Sequence, residues 1–204
     1  MGFNLAGIFV EQQDTFCLSR HPKHNEKKAL EILESMNFGT ELQNRAVQDL
    51  SQGLQPMPGQ YFIGAYECGA VLSYHQLIQQ VEESDVLAIE KRISTSYDIY
   101  PQNNSLAFGI FDTTNTYGYF FFENGRLIRA LTGNINQNRV LDIGELLPEE
   151  LLCFRRGKDR MIIDEFGQEM TAADGSGIIF ELSKRFLGEP LNQFTGSMSL
   201  QLFE

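Results

Sequence analysis

The chain is short of positive charge: 16 Lys and Arg stand against 27 Asp and Glu in 204 residues, a formal net charge of −11. That balance argues against a phosphate-binding surface, and no nucleic-acid partner is expected. Long apolar runs are missing too. Tyr119-Phe-Phe-Phe122 is closed at once by Glu123-Asn124-Gly125, far short of the ~18 continuous apolar residues of a membrane helix, so no membrane association is expected. The opening segment from Met1 to Val10 is apolar, but it has no basic leader and runs into Glu11 where a small-residue cleavage site would belong, so it reads as a first strand. Cysteine is scarce, odd in number and scattered, at Cys17, Cys68 and Cys153. This is not the dense, even pattern of a secreted disulfide scaffold, and a reducing cytoplasm is the expected compartment.

What is present belongs to a globular protein. Apolar residues make up 42% and charged residues 21%, too apolar for a disordered chain. At this length folding buries roughly 70% of the surface of the unfolded chain, which supports one domain over residues 1–204 without metals or disulfides. From Asn25 to Phe38, residues Ala29, Leu30, Leu33, Met36 and Phe38 recur near a 3.6-residue period before Gly39, which predicts an amphipathic helix capped by Asn25. The segment 40–59 loses periodicity and ends in Pro56-Met-Pro-Gly59, making it the most irregular internal stretch. Residues 60–67 and 69–72 read as a hairpin or kinked strand, and 74–83 as a helix capped by Ser73; Val86-Leu-Ala-Ile89 suits either state. Leu106 to Phe111 reads as a strand.

The strongest local signal is Tyr117 to Leu131 around Asn124-Gly125, since both turn residues tolerate φ > 0 and close a two-residue type I′ hairpin. Its register places Glu123 opposite Arg126, Phe122 opposite Leu127, Phe121 opposite Ile128 and Phe120 opposite Arg129. Apolar side chains on both faces predict a central hairpin covered on both sides. Pro148 followed by Glu149 and Glu150 marks a short helix start. A second clear helix covers 177–187, stopped by Gly188 and Pro190. From Ser197 onward Met198, Leu200 and Leu202 alternate with polar residues, which predicts a strand added to an edge of the molecule's own sheet, or to a partner's. The fold class is α+β, a largely antiparallel sheet with two to four packed helices.

Few residues combine into chemistry. Cys17, His21 and His24 stand as C-x3-H-x2-H, but structural zinc needs a fourth ligand, and Pro22 restricts the backbone between them; a solvated loop is the plainer reading, and no metal or other cofactor is expected. Cys68 with His75 has the residue types of a thiol–imidazole pair, though neither lies in a recognisable nucleophile motif, and Cys68 is more simply a small buried residue. Arg129 within the apolar hairpin either stacks on Phe120 or pairs with a carboxylate, or else lines an anion pocket. Gly175-Ser176-Gly177 opens the last helix, where free N–H groups can hold an anion, but it lacks a Walker lysine, and Ser176 as helix cap is the simpler use. Asp112 sits in turn chemistry, and Arg155, Arg156, Lys158 and Arg160 are offset by Asp159, Asp164 and Glu165, as expected of a solvated loop.

The Gly64-Ala65-Tyr66 strand, the run Phe121 to Arg129 followed by Gly144-Glu-Leu-Leu-Pro-Glu149, and Ile179 to Gly188 together resemble an uncharacterised bacterial family of about this length, a domain of unknown function. The resemblance spans about Gln60 to Leu191. It implies a single-domain bacterial cytosolic protein and brings no catalytic residue with it. The charge then leads to the functional expectation: a non-catalytic cytosolic binding protein acting on a protein partner, basic in character, with a toxin-neutralising or accessory role suiting the acidic surface. The alternative is a small-molecule enzyme with an anion pocket at the end of the sheet, using Arg129 or Gly175-Ser176-Gly177. A self-associating subunit, a homo-oligomer, is the third reading.

Overall fold

The computed structural model describes residues 4–13, 17–36, 42–111, 114, 116–134, 140–153, 155–156, 162–163, 169–170 and 175–204. In chain order the main elements are β1 (Asn4–Gln12), α1 (Glu26–Ser35), β2 (Asn44–Asp49), α2 (Leu50–Gly53), β3 (Tyr61–Ala65), β4 (Gly69–Tyr74), α3 (His75–Glu82), α4 (Val86–Ile99), β5 (Asn103–Phe111), β6 (Thr116–Glu123), β7 (Arg126–Asn134) and β8 (Val140–Ile143). Then follow α5 (Pro148–Cys153), the two-residue strands β9 (Arg155–Arg156), β10 (Ile162–Ile163) and β11 (Glu169–Met170), α6 (Ser176–Leu187) and β12 (Ser199–Phe203).

Nine strands form one sheet in the order β2-β12-β3-β4-β1-β5-β6-β7-β8, with antiparallel neighbours throughout. Alternation along a strand sends successive side chains to opposite faces. In β1, Leu5 and Phe9 join one core while Ala6, Ile8 and Val10 join the other. In β6, Tyr117, Tyr119 and Phe121 face the first core, and Phe120 and Phe122 the second. Helices α1, α3 and α4 bring Ala29, Ile32, Leu33, Leu77, Val81, Ile89 and Ile93 to the second face. On the first, α2 contributes Leu50, and α6 contributes Ile178, Ile179, Leu182, Phe186 and Leu187. Burial on both faces is why β1 and β6 read as nearly unbroken apolar runs.

The fold class agrees with the α+β expectation, and the sheet dominates more than expected. Six α-helices lie among the described residues, not two to four: α2 is too short to show a helical period, and α4 begins in a segment that suited either state. Within the segment 40–59 lie β2 and α2. Helix α1 has the predicted cap, with Asn25 Oδ1 accepting the Lys28 N–H at 3.1 Å. Ser73 is not the cap of α3; Tyr74 is, and the Ser73 hydroxyl donates across the sheet to the Ala6 carbonyl at 2.7 Å. Val86 to Ile89 resolves as the start of α4. The hairpin turn is where predicted, with Asn124 at φ 50° and Gly125 at φ 71°. Its register holds for Glu123 with Arg126 and Phe122 with Leu127, then shifts by a bulge, so that Phe121 faces Arg129 and Phe120 faces Ala130. The extra residue in the bulge is Ile128, and it turns the next side chain to the other face.

Candidate functional site

Arg129 is the most deeply buried charge in the molecule's apolar hairpin, with 1% of its side chain exposed. Its Nε lies 3.1 and 3.0 Å from the two Glu150 oxygens, and its Nη2 donates to Glu150 Oε1 at 2.8 Å. Nη1 donates to the Asp142 carboxylate and reaches the Ile143 and Gly144 carbonyls at 3.1 and 3.2 Å. Burial works against the charge, but the Glu150 and Asp142 carboxylates outweigh it and hold the guanidinium ionised, above even its ordinary value. The pairing half of the sequence expectation is therefore what the fold uses.

Each partner has a local cause. Pro148 starts α5, and Glu150 at the third helical position accepts the Leu147 N–H at 2.6 Å, the reach-back half of a capping box. Glu150 Oε2 thus caps its helix while both carboxylate oxygens hold Arg129. Gly144 takes φ 87°, and a Cβ there would stand 2.0 Å from the Ile128 carbonyl oxygen, so only glycine lets β8 turn this closely beside the bulge. Tyr119 lies next to the ion pair, where burial and then the Glu150 carboxylate push its phenol well above its ordinary range. One guanidinium against two carboxylates leaves this cluster net negative. An incoming anion would be repelled by the groups that already occupy Arg129.

A second clamp stands nearby on α6. Arg185 binds Glu149 through Nε and Nη2 at 2.6 and 2.7 Å and lies 4.7 Å from the centre of the Phe121 ring. Burial alone would raise Glu149, but Arg185 holds its carboxyl below the usual value. Together the two arginines fasten α5 and α6 to the hairpin.

The glycine-rich helix start is placed differently. Gly175 is the N-cap of α6 and Ser176 its first helical residue, with no side-chain cap bond, which corrects the reading of Ser176 as cap. A Cβ on Gly175 would stand 2.1 Å from the Tyr117 ring; this glycine serves close packing on β6. Nothing crowds Gly177 within 4 Å. Arg129 turns instead towards β8 and α5, so the two weak anion candidates each have separate surroundings.

The cysteine–histidine segment is also dispersed. Cys17 and Cys68 are joined as a disulfide, with Cα atoms 6.2 Å apart, which corrects the reading of Cys68 as a solitary buried thiol. The pairing arises because Glu11 lies opposite Gly69 in the β1–β4 ladder, bringing the chain just beyond β1 beside the turn before β4. There the buried Glu11 carboxylate accepts the Cys17 N–H and the Leu18 N–H at 2.9 Å. His24 Nδ1 accepts the Ala65 N–H at 3.2 Å, and burial pushes its imidazole below the ordinary value against the pull of Glu26. His21 packs edge-on against Phe194. Among the described residues no three His, Cys, Asp or Glu side chains are placed to hold a metal ion. Cys68 and His75 lie at opposite ends of β4 (Gly69–Tyr74), about 20 Å of extended chain, so they form no thiol–imidazole pair. Asp112, Lys158, Asp159, Arg160, Asp164 and Glu165 lie outside the described residues; Arg155 and Arg156 form β9, in the small β11-β10-β9 sheet.

Two surface features escape a search for catalytic motifs. At the α3–α4 corner Leu87 is 77% exposed, and Glu82, Glu83, Asp85 and Glu90 around it in the chain are all exposed. The acids are plain in the sequence, but the outward direction of Leu87 is not, because Val86, Ile89 and Ile93 turn the other way. The second feature is β2, the end strand of the sheet, exposed along nearly all its length. Among the described residues no helix is long and apolar enough to cross a membrane.

Residues 7–172 match the model of a family described as a family of unknown function (DUF6928). No curated protein matches the chain, and no solved structure does.

Proposed function

We propose that this chain, which belongs to the DUF6928 family of unknown function, is a non-catalytic binding protein acting on a basic protein partner. The observation that carries the reading is the α3–α4 corner, where exposed Leu87 stands among the exposed carboxylates of Glu82, Glu83, Asp85 and Glu90. None of these four acids takes part in a salt bridge among the described residues. An apolar anchor with an acidic rim suits a partner that brings an apolar pocket bordered by Lys or Arg, since the anchor supplies affinity and the rim supplies orientation and on-rate. The overall charge of −11 draws basic partners from a distance and is screened by salt. Toxin neutralisation and accessory-subunit roles both fall within this class.

The candidate anion pocket gains no such support, since Arg129 is taken up by Glu150 and Asp142. The test is capture from a cell extract with three baits: the wild-type chain, Leu87→Ser, and Glu83→Lys with Glu90→Lys. The reading requires one basic protein retained by the wild type, released by raised salt, and lost from both variants. Retention that ignores all three changes would remove the corner from consideration.

A further inference from the structure

The chain between β1 and α1 carries a different inference, independent of the α3–α4 corner. Residues 17–25 lie as a strap against the first core. Leu18–Arg20 form a single 3-10 turn, with Leu18 fully buried among the first-core residues. Ser19 abuts Gly188 at the end of α6, where a Cβ would stand 3.0 Å from the Ser19 Cβ. The His21 ring lies so close on Gly196 that no Cβ would fit there, and it meets Phe194 edge-on with ring centres 5.3 Å apart. The strap thus packs on the connection that carries the chain from α6 to β12.

Three polar or covalent fastenings hold it. At its start the disulfide ties Cys17 to Cys68, and the Glu11 carboxylate accepts the Cys17 and Leu18 N–H groups. At its end the Asn25 N–H donates to the Ala65 carbonyl at 2.8 Å, while the Ala65 N–H donates to His24 Nδ1 at 3.2 Å. Only the disulfide is covalent. Hydrogen bonds at a surface segment open locally without unfolding the molecule, so the disulfide decides whether the strap can lift. Breaking it leaves the rest of the fold in place. Both cysteines are half-buried, within reach of a reductant, and neither belongs to either core. The β1–β4 ladder runs from Glu11 opposite Gly69 to Ile8 opposite Leu72, and the Gln12 N–H donates to the Cys68 carbonyl at 2.9 Å. These bonds, with those of Glu11, keep the two thiols close after reduction and make their re-oxidation an intramolecular step.

We propose that the Cys17–Cys68 bond is a redox-sensitive latch: oxidised, it pins residues 17–25 against α6, and reduced by a dithiol, it lets them lift and uncover Phe194 and the α6–β12 connection. In the exchange a thiolate of the reductant attacks one protein sulfur, and the other leaves as a thiolate that takes up a proton. The reductant's second thiol then displaces the mixed disulfide. Two electrons and two protons pass to the chain, which ends with two thiols, and the dithiol ends as its own disulfide.

Limited digestion of the full chain by trypsin tests the latch, because Arg20 and Lys23 are exposed strap residues and cleavage of a native segment tracks the population of its open form. The chain is reduced with dithiothreitol and desalted without air before trypsin is added. Cleavage after Arg20 or Lys23 should then run about tenfold faster or more than in the oxidised chain, while the reduced chain keeps a cooperative thermal transition. Oxidised glutathione should restore the slow rate. Cys17→Ser and Cys68→Ser should each be cleaved at the fast rate whether or not they are reduced, and Cys153→Ser should respond as the wild type does. The fast rate should also be indifferent to urea too dilute to unfold the chain, since local opening exposes little surface. Equal cleavage of oxidised and reduced chains would overturn the proposal, and so would a fast rate that climbs with dilute urea as global unfolding does. Loss of cooperative melting on reduction, or a bond that dithiothreitol cannot break until urea unfolds the chain, would make the disulfide a staple of the whole fold and overturn it too. None of these outcomes bears on the Leu87 corner, which its own variants test.

Discussion

Arg129 and Glu150 form a buried ion pair in which both side chains are 1% exposed. The guanidinium comes from the hairpin and the carboxylate from the first turn of α5, so the pair fastens a helix to a strand at the point where the sheet ends. A buried pair is costly to assemble and more costly to break on one side, because the survivor is left charged and without its partner. Arg129→Ala should therefore lower stability by about 3–5 kcal/mol, read from the midpoint of denaturant unfolding. Replacing both residues together, Arg129→Met with Glu150→Leu, should cost less than the single change. The comparison separates the pair's charge from the packing around it.

Cys17 and Cys68 predict a thiol count. Of the three cysteines in the chain, the disulfide takes two, so unfolded, unreduced protein should react with one equivalent of a thiol reagent and reduced protein with three. The bridge spans 51 residues of sequence. Closing a loop of that size restricts the unfolded chain by about 4 kcal/mol on the chain-entropy estimate. Protein purified under oxidising conditions should therefore melt higher than the same protein in reductant, or than Cys17→Ser. A count of three without reductant would show that the two thiols stand side by side unbonded.

Glu149 gives the acid response a sign. Its folded carboxyl is held below the ordinary value by Arg185, so its contribution is present above the unfolded carboxylate value near pH ~4.3 and disappears as pH falls through the folded value. Arg185→Gln removes that depression. The stability gap between wild type and Arg185→Gln, measured by urea unfolding, should be constant near neutrality and close progressively below about pH 4. A gap that widens on acidification would contradict the assignment.

The final strand should be indispensable. Met198, Leu200 and Leu202 are all buried in the first core, and β12 bonds to β2 on one side and β3 on the other. Ending the chain before Ser197 removes three apolar side chains worth ~1.5–3 kcal/mol each, and it also detaches β2. The truncated protein should fail to unfold cooperatively, as seen by loss of a sigmoidal thermal transition. Retention of the wild-type melting temperature would exclude the observed strand order.

The local elements were legible in the sequence because short-range physics makes them. Asn124 and Gly125 both take positive φ, which few other pairs accept at low cost. Asn25 caps α1, and Gly188 ends α6 with φ 78°. The apolar run in β6 already implied burial on both faces of the hairpin.

Other features depended on which strands become neighbours. The bulge at Ile128 brings Arg129 opposite Phe121, a shift that nothing in the hairpin sequence encodes, because it answers to Glu150 and the tight approach at Gly144 from beyond the turn. The C-terminal alternation implied a strand, but its place between β2 and β3 is set by long-range pairing. Cys17 and Cys68 meet because β1 and β4 are adjacent, and no spacing rule covers that. Strand β2 has no buried face and hence no hydrophobic period to read; it exists as a strand because β12 supplies the other half of its hydrogen bonds. Turns and caps are set by the dihedral limits and side-chain reach of a few consecutive residues, so sequence determines them directly, whereas pairing, bulges and bridges are decided between segments far apart in the chain.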